Sequence, residues 1–453
     1  MLASPNFRAA KPWGWVICVV QTYLQLNLCW RNRLHLEQRD LEVLRNLPPG
    51  SGIVLAPNHA DETDFKVCLV LSRRCGRRFL FMANREAFDE GFGTAGWWLQ
   101  RLGAFSVERG GKSEGAKRYA INLVKRGQEV LVIFPEGEIF YLNDLVQPFK
   151  SGAVEIGMHA VVESQRTETD WTVYLIPLAI KYRYRKPIRQ ILERRIRRME
   201  QYLLLRKSGL SFQKRMEHIL AVMLHRQELA HDLKPASDRL TELGERVKEV
   251  REAILTQIEG KYAGQTVRSQ AQPMDRAWRL SSHLRSLLTQ VGRFRTTIQE
   301  QIRTDLASLK RIVQMGSWQP QYVDLDPSQE RLAEMVLKLE REVYQIQRPR
   351  QLANRGVFLR IGEPIDLGRF VSDYLKDAQS VRHGVAEQLR DQIQALINTM
   401  TAVTPGSSKV QSDESAGGTS ERREACSESK HPWDRPKPQE PEHSGRSGAS
   451  FHD

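Results

Sequence analysis

Two hydrophobic periodicities divide the chain. In its first part, short unbroken apolar runs recur: Gly52-Ile53-Val54-Leu55-Ala56, Phe79-Leu80-Phe81-Met82-Ala83, Val130-Leu131-Val132-Ile133 and Tyr174-Leu175-Ile176-Pro177. Flanked by turn formers, such runs read as buried strands. Residues 113–126 between them read as a helix stopped by Gly127. Strands alternating with helices predict an α/β fold, a sheet with helices on its faces.

Beyond Arg183 the apolar positions change to helical spacing. Ile188, Leu192, Ile196, Met199 and Leu203 are interleaved with Arg185, Lys186, Arg189, Arg194, Arg195, Arg197 and Arg198, which reads as a basic amphipathic helix. Three seams at intervals of three and four follow: Leu240 to Ile254, then Leu280, Leu284, Leu287, Val291, Phe294 and Ile298, and Leu332 to Ile346. The last begins after Asp326-Pro327, a cap and first-turn pair. Breaks fall near 260–273 and 316–327. Together these predict an antiparallel helical bundle folded on itself, with pairing to a second chain as the alternative. From about residue 401 apolar residues nearly vanish, the composition of a disordered tail.

At the other end, residues 13–30 carry no charge, and Trp13, Trp15, Tyr23 and Trp30 suit a membrane interface. Gln21, Thr22, Gln25 and Asn27 make a poor spanning segment, and there is no small-residue cleavage site of a secretory signal. The stretch reads as a helix lying in the cytoplasmic face of a membrane, with a full span or a buried globular helix as alternatives.

Charge adds to this picture. Across 453 residues Lys plus Arg total 68 against 54 Asp plus Glu, a formal net charge of +14. That excess favours anionic lipid, the phosphates of coenzyme A, an acyl carrier protein or nucleic acid, although no nucleic-acid recognition motif is present. The five cysteines are scattered without a Cys-x-x-Cys pair, which argues for a reducing compartment without a disulfide framework or structural zinc site.

Candidate chemistry starts at Pro57-Asn58-His59-Ala60-Asp61-Glu62-Thr63-Asp64, on the exit of the first apolar run. Open α/β sheets place their sites at such strand ends. A neutral imidazole takes up a proton near pH 7 when a carboxylate holds its other nitrogen. On one continuous helix a five-residue separation turns about 500°, so His59 and Asp64 would not share a face. His59 must precede the helix; with Asp61 as N-cap, Asp64 falls in the first turn and reaches back. The bland reading leaves both aspartates as caps and His59 as a loop residue. Three further segments follow in order: Gly103-Ala104-Phe105-Ser106-Val107-Glu108-Arg109, Phe134-Pro135-Glu136-Gly137 and the run ending at Pro177. A Phe-Pro-Glu-Gly tetrapeptide is expected by chance on the order of a few times in a thousand such chains, so the set is specific. Lys150, on a loop opening a helix, could face a phosphate or simply be solvated.

The sequence resembles the glycerolipid acyltransferases typified by lysophosphatidic acid acyltransferase, whose blocks are Asn-His-x-x-x-x-Asp, Gly-x-x-Phe-x-x-Arg, Phe-Pro-Glu-Gly and an apolar block with proline. The resemblance covers roughly residues 40–184, and more weakly 355–400. It implies an acyltransferase-type central sheet flanked by helices, with a large all-helical insertion: a membrane-associating region over 1–40, the core over 41–185, the insertion over 186–350, closing strand and helix over 351–400, and the tail over 401–453. It implies His59 as general base, Asp64 as its orienter, and Arg109, Glu136 and Gly137 in acceptor binding. Transfer would run from an acyl-CoA or acyl carrier protein thioester to a hydroxyl of a glycerolipid precursor, foremost 1-acyl-sn-glycerol 3-phosphate, in phospholipid biosynthesis. No metal or other cofactor is implied. Where the family usually continues Thr-Arg-Ser, this chain has Glu138-Ile139-Phe140, so an arginine associated with the acceptor's phosphate is missing. Another lysolipid acceptor, or an idle membrane-bound scaffold, are the competing expectations. The insertion would hold the active face against the bilayer or dock a partner, and its removal would leave the core folded.

Overall fold

The computed structural model describes residues 7–25, 32–89, 94–110, 113–166, 171–206, 209–233, 243–262, 271–290, 296–319, 322, 327–346 and 349–402. The expected tail beyond 402 lies outside them. In chain order the elements begin with α1 (Gly14–Gln25), β1 (Asn32–Leu36), α2 (Gln38–Arg45), β2 (Gly52–Pro57), α3 (Asp64–Cys75), β3 (Phe79–Asn84), α4 (Arg85–Asp89) and α5 (Thr94–Arg101). Then come β4 (Ala104–Val107), α6 (Glu114–Arg126), β5 (Val130–Val132), α7 (Gly152–Ser164) and β6 (Val173–Tyr184). A helical stretch follows: α8 (Arg189–Tyr202), α9 (Phe212–Ala230), α10 (Leu243–Tyr262), α11 (Pro273–Gln290), α12 (Thr296–Met315) and α13 (Gln329–Val343). The chain then returns through β7 (Arg355–Ile361) and β8 (Ile365–Asp366) to α14 (Val371–Lys376) and α15 (Ala378–Ala402).

The strands form one sheet in the order β1-β7-β6-β2-β5-β3-β4, with β8 pairing β6. Only the β6 pairings with β7 and β8 are antiparallel. Every residue of β2 is buried, as a parallel strand covered on both faces requires. Its side chains alternate between two cores. Val54 and Ala56 join Leu123, Val124, Met158 and Ile393 on one face, while Ile53 and Leu55 join Leu44, Leu69 and Leu71 on the other.

The helical stretch enters and leaves at one point of the sheet, because Tyr184 and Arg355 are register partners across β6 and β7. Its seams collect in a third core with Ile196, Leu220, Val250, Leu284, Leu309 and Val336. That core is not closed on itself. Phe140 and Leu142, from the loop after β5, are buried in it. Across the same boundary Arg331 pairs with Asp144 at 3.1 Å, and Asn143 N–H donates to Glu334 at 3.2 Å. Removal of the insertion would uncover both apolar side chains and leave Asp144 with one cation fewer.

Three local expectations are corrected. The seam from Leu280 to Ile298 falls on two elements, α11 and α12, and residues 291–295 between them lie outside the described residues. Ile298 is exposed, Val291 and Phe294 lie outside the described residues, and α12 buries Ile302, Leu309 and Ile312 instead. The N-cap of α13 is Ser328, whose hydroxyl accepts from Arg331 N–H, and not Asp326. Helix α9, with Met216, Ile219, Leu220, Met223 and Leu224 buried, belongs to none of the predicted seams. At the N-terminus α1 has 12 residues, and among the described residues no helix is long and apolar enough to cross a membrane.

Candidate active site

The parallel strands deliver the predicted blocks to one edge, since His59 follows β2, Glu136 follows β5 and Arg109 follows β4. Beyond Pro57 the side chain of Asn58 continues the sheet in place of backbone. Its amide donates to Ile180 O at 3.0 Å and its oxygen accepts from Ile180 N–H at 2.7 Å. That clamp, on a side chain with 1 % exposure, fixes the loop that carries His59. The ring of His59 lies on Phe134 with centroids 4.1 Å apart, and its Nδ1 is 2.9 Å from Asp64 Oδ2.

Asp64 is the first residue of α3 and fully buried. Burial pushes its carboxyl above the ordinary range, opposed by the His59 contact and the Tyr182 hydroxyl. Tyr182 donates to Oδ1 at 2.5 Å and Asp61 N–H to Oδ2 at 2.9 Å. Asp61 does not cap α3; the N-cap is Thr63. Asp61 instead makes an Asx turn, its Oδ1 accepting from Thr63 N–H at 2.9 Å, while Oδ2 pairs with Arg355 at 2.8 Å. Cys68 lies one turn after Asp64 on α3 and is buried. Burial and the Asp64 charge push its thiol well up, so it stays protonated and is no nucleophile.

Glu136 approaches from β5, its Oε1 accepting the backbone N–H of His59 at 2.8 Å. Burial raises its carboxyl to about 8, opposed by the N–H groups of His59 and Gln147, so at pH 7 a neutral acid braces the backbone of His59. Gly137 turns the chain with φ +73°, and a Cβ there would stand 2.9 Å from the ring of Trp278. Both the left-handed backbone and that approach require glycine.

Trp278 belongs to α11, and this helix of the insertion lies on the residues predicted to bind the acceptor. Arg109 Nη1 donates to Gly137 O and, at 2.9 Å, to Glu138, with its guanidinium 5.1 Å from the Trp278 ring. Arg109 Nε is buried without a partner. Lys150 Nζ pairs with Asp275 of α11 at 2.6 Å and lies 5.4 Å from the same ring. At Gly110 a Cβ would meet the α11 backbone at 2.5 Å. His59, Asp64, Glu136 and Gly137 are thus brought together, while Arg109 and Lys150 stand beside them already engaged. Asn58, Tyr182, Arg355 and Trp278 are the participants that sequence reasoning did not assign. Asn58 was legible inside its block; Tyr182 and Trp278 carry no local signal.

A buried carboxylate on one imidazole nitrogen leaves the other free to take a proton from a hydroxyl, the arrangement of an O-acyl transfer site on an α/β sheet. Residues 38–181 match the family described as Acyltransferase. A segment of 86 residues is 36% identical to the 1-acyl-sn-glycerol-3-phosphate acyltransferase of Streptococcus pneumoniae (strain ATCC BAA-255 / R6), covering 19% of this chain and 30% of that protein. The chain therefore spans less than a third of that relative's length. Residues 38–181 form a domain of the glycerolipid acyltransferase family, and the match ends within β6, before the helical insertion begins.

Proposed function

We propose that this protein moves a fatty acyl group from an acyl-CoA or acyl carrier protein thioester to a hydroxyl of a glycerolipid precursor in phospholipid biosynthesis, with 1-acyl-sn-glycerol 3-phosphate the foremost acceptor. The contact of His59 Nδ1 with Asp64 Oδ2 at 2.9 Å carries this reading. With Nδ1–H donating to Asp64, Nε2 has the lone pair. It removes the hydroxyl proton as the oxygen attacks the thioester carbonyl; the C–O bond forms, the C–S bond breaks and the thiol leaves. General-base help of this kind gives about 10² to 10⁴ in rate. The thioester is already activated, so no acyl-enzyme is required.

Membrane association is part of the proposal. Trp15, Val19, Tyr23 and Trp98 are exposed large side chains on α1 and α5, with Trp13 stacked on Trp15 and edge-on to Trp97. Exposed tryptophans clustered on two helices suit the headgroup level of a bilayer, here at its cytoplasmic face. A second acceptor, another lysolipid, is favoured by Glu138, which holds Arg109 where the family pattern has a further arginine nearby.

The test is transfer from radiolabelled acyl thioesters to a panel of lysolipids, with products resolved by mass spectrometry. Wild-type turnover should be lost in His59→Ala. Equal incorporation by both proteins removes His59 as base, and no incorporation by the wild type on any acceptor leaves the idle scaffold.

A further inference from the structure

Helix α8 opens the insertion and leaves the end of the sheet that carries His59. Strand β6 runs parallel to β2, with Leu178 the register partner of Pro57, and continues to Tyr184 before the chain turns into α8. A basic amphipathic helix lies in a bilayer interface by burying its apolar face there. In α8 that face is already used, since Leu192, Ile196 and Met199 are buried in the core of the insertion.

What remains outward is charge. At about 100° per residue, Arg194, Arg197 and Arg198 fall on the side opposite the buried stripe, and all three are exposed. The acids that could neutralise them are taken. Glu193 and Glu200, the carboxylates of α8, both pair with Arg215 of α9 at 2.7 Å. On the other flank Glu340 of α13 pairs with Arg195 at 2.8 Å. Arg194 gives one long hydrogen bond to Gln190 O, at 3.4 Å. Among the described residues no carboxylate pairs with Arg194, Arg197 or Arg198. Arg185, Lys186 and Arg189, before and at the first turn, are exposed as well. Past the last turn Leu204 is 89% exposed and held at φ +57°, a conformation disfavoured for a bulky side chain. Tyr202 close by is 60% exposed.

We infer that the outer face of α8 is a docking surface for an anionic lipid bilayer, whose phosphates meet Arg194, Arg197 and Arg198 while Tyr202 and Leu204 enter the headgroup layer. Guanidinium forks match phosphate oxygens, and an anionic leaflet attracts basic side chains held near its surface. A helix face of one sign, with apolar side chains at its end, fits a partner whose charge lies over hydrocarbon. A nucleic acid has no such layer beneath its phosphates. This contact is charge-selective and depends neither on acyl transfer nor on the tryptophans of α1 and α5.

Flotation of the full chain with phosphatidylcholine vesicles, with and without phosphatidylglycerol, tests it. At about 0.1 M salt, where charges act over about 10 Å, the wild type should bind the anionic vesicles more tightly; at about 1 M, where that length is about 3 Å, the preference should vanish. His59→Ala should behave as the wild type, because no turnover is involved. The triple variant Arg194→Gln, Arg197→Gln and Arg198→Gln should lose about a hundredfold in affinity for the anionic vesicles and little for the neutral ones. Glutamine suits exposed helix positions, and thermal melts check the fold. A control variant, Lys248→Gln, Arg369→Gln and Lys376→Gln, lowers the net charge equally at side chains more than two thirds exposed and should keep the preference. Leu204→Gly suits the left-handed backbone and should weaken binding to both vesicles a few fold; unchanged binding removes Leu204 from the surface. Absence of an anionic preference in the wild type, its survival in the folded triple variant, or an equal loss in the control overturns the docking surface. Wild-type protein that floats only with anionic vesicles supports α8 and counts against the tryptophan contact.

Discussion

In the sheet, buried acids stand at the carboxyl ends of parallel strands or on the first turn that follows; in the insertion, buried charges run along helix faces. Among the described residues no Lys or Arg pairs with Asp64 or Glu136, which are held by N–H and O–H donors around one imidazole. In the insertion, Arg246 instead gives two hydrogen bonds to Glu228, at 2.8 and 2.9 Å, and Arg195 two to Glu340. A matched bidentate pair completes its own hydrogen bonding and fixes how helices pack. An acid held only by neutral donors has its proton affinity tuned by its surroundings, which is what acid–base chemistry needs. By this distinction the insertion is architecture along α9 and α10, and becomes part of the site at α11, where it faces Gly137.

The comparison breaks first at Asp64. Asp64→Asn keeps the shape but removes the charge that stabilises a protonated His59, and kcat should fall by about 10² to 10⁴ with little change in melting temperature. Wild-type kcat in a folded Asp64→Asn protein would make the buried acid structural, like those of α9 and α10. Next comes the boundary itself. Phe140 is 5% exposed and packs among insertion side chains, so Phe140→Ala should cost about 3–5 kcal/mol in urea unfolding. A loss well below that would mean that the insertion packs on itself after all.

What was legible beforehand follows the same division. The β2 run and His59–Asp64 are local: a buried parallel strand is apolar throughout, and five residues suffice to place the imidazole before the helix and the carboxylate on its first turn. Helix α9 was legible too, at Met216, Ile219, Leu220, Met223 and Leu224, had methionines been counted in the seam. Trp278 was not. Nothing near it in sequence signals that α11 crosses more than a hundred positions to lie on Gly137, and only the fit of an indole against a glycine without a side chain reveals it. The tyrosine that holds Asp64 is likewise brought there by the pairing of β6 with β2, a contact no local pattern contains.

A smaller effect sharpens the role of Glu136. Its carboxyl is raised from 4.5 to about 8 in the folded protein. Its contribution to stability is therefore fully present below its unfolded value and is lost as pH rises through about 8. Glu136→Gln keeps an oxygen for the His59 N–H and does not titrate. The urea midpoint of the variant should decline less than that of the wild type between about pH 5 and pH 8. Parallel profiles would mean that Glu136 is ionised in the fold and closer in kind to a paired acid.

The smallest effect concerns α11. Lys150 and Asp275 are each more than a third exposed, and ion pairs of that exposure contribute about 0–1 kcal/mol. Asp275→Asn should thus leave stability within that range while freeing the Lys150 ammonium beside Gly137. If α11 only shields the site, the acceptor's KM stays as it was. If Lys150 grips the acceptor's anion once released, KM for a phosphate-bearing lysolipid falls by a few fold and KM for a neutral one does not. The second result would make the Asp275 carboxylate a competitor for the same cation, and the insertion a determinant of which headgroups enter.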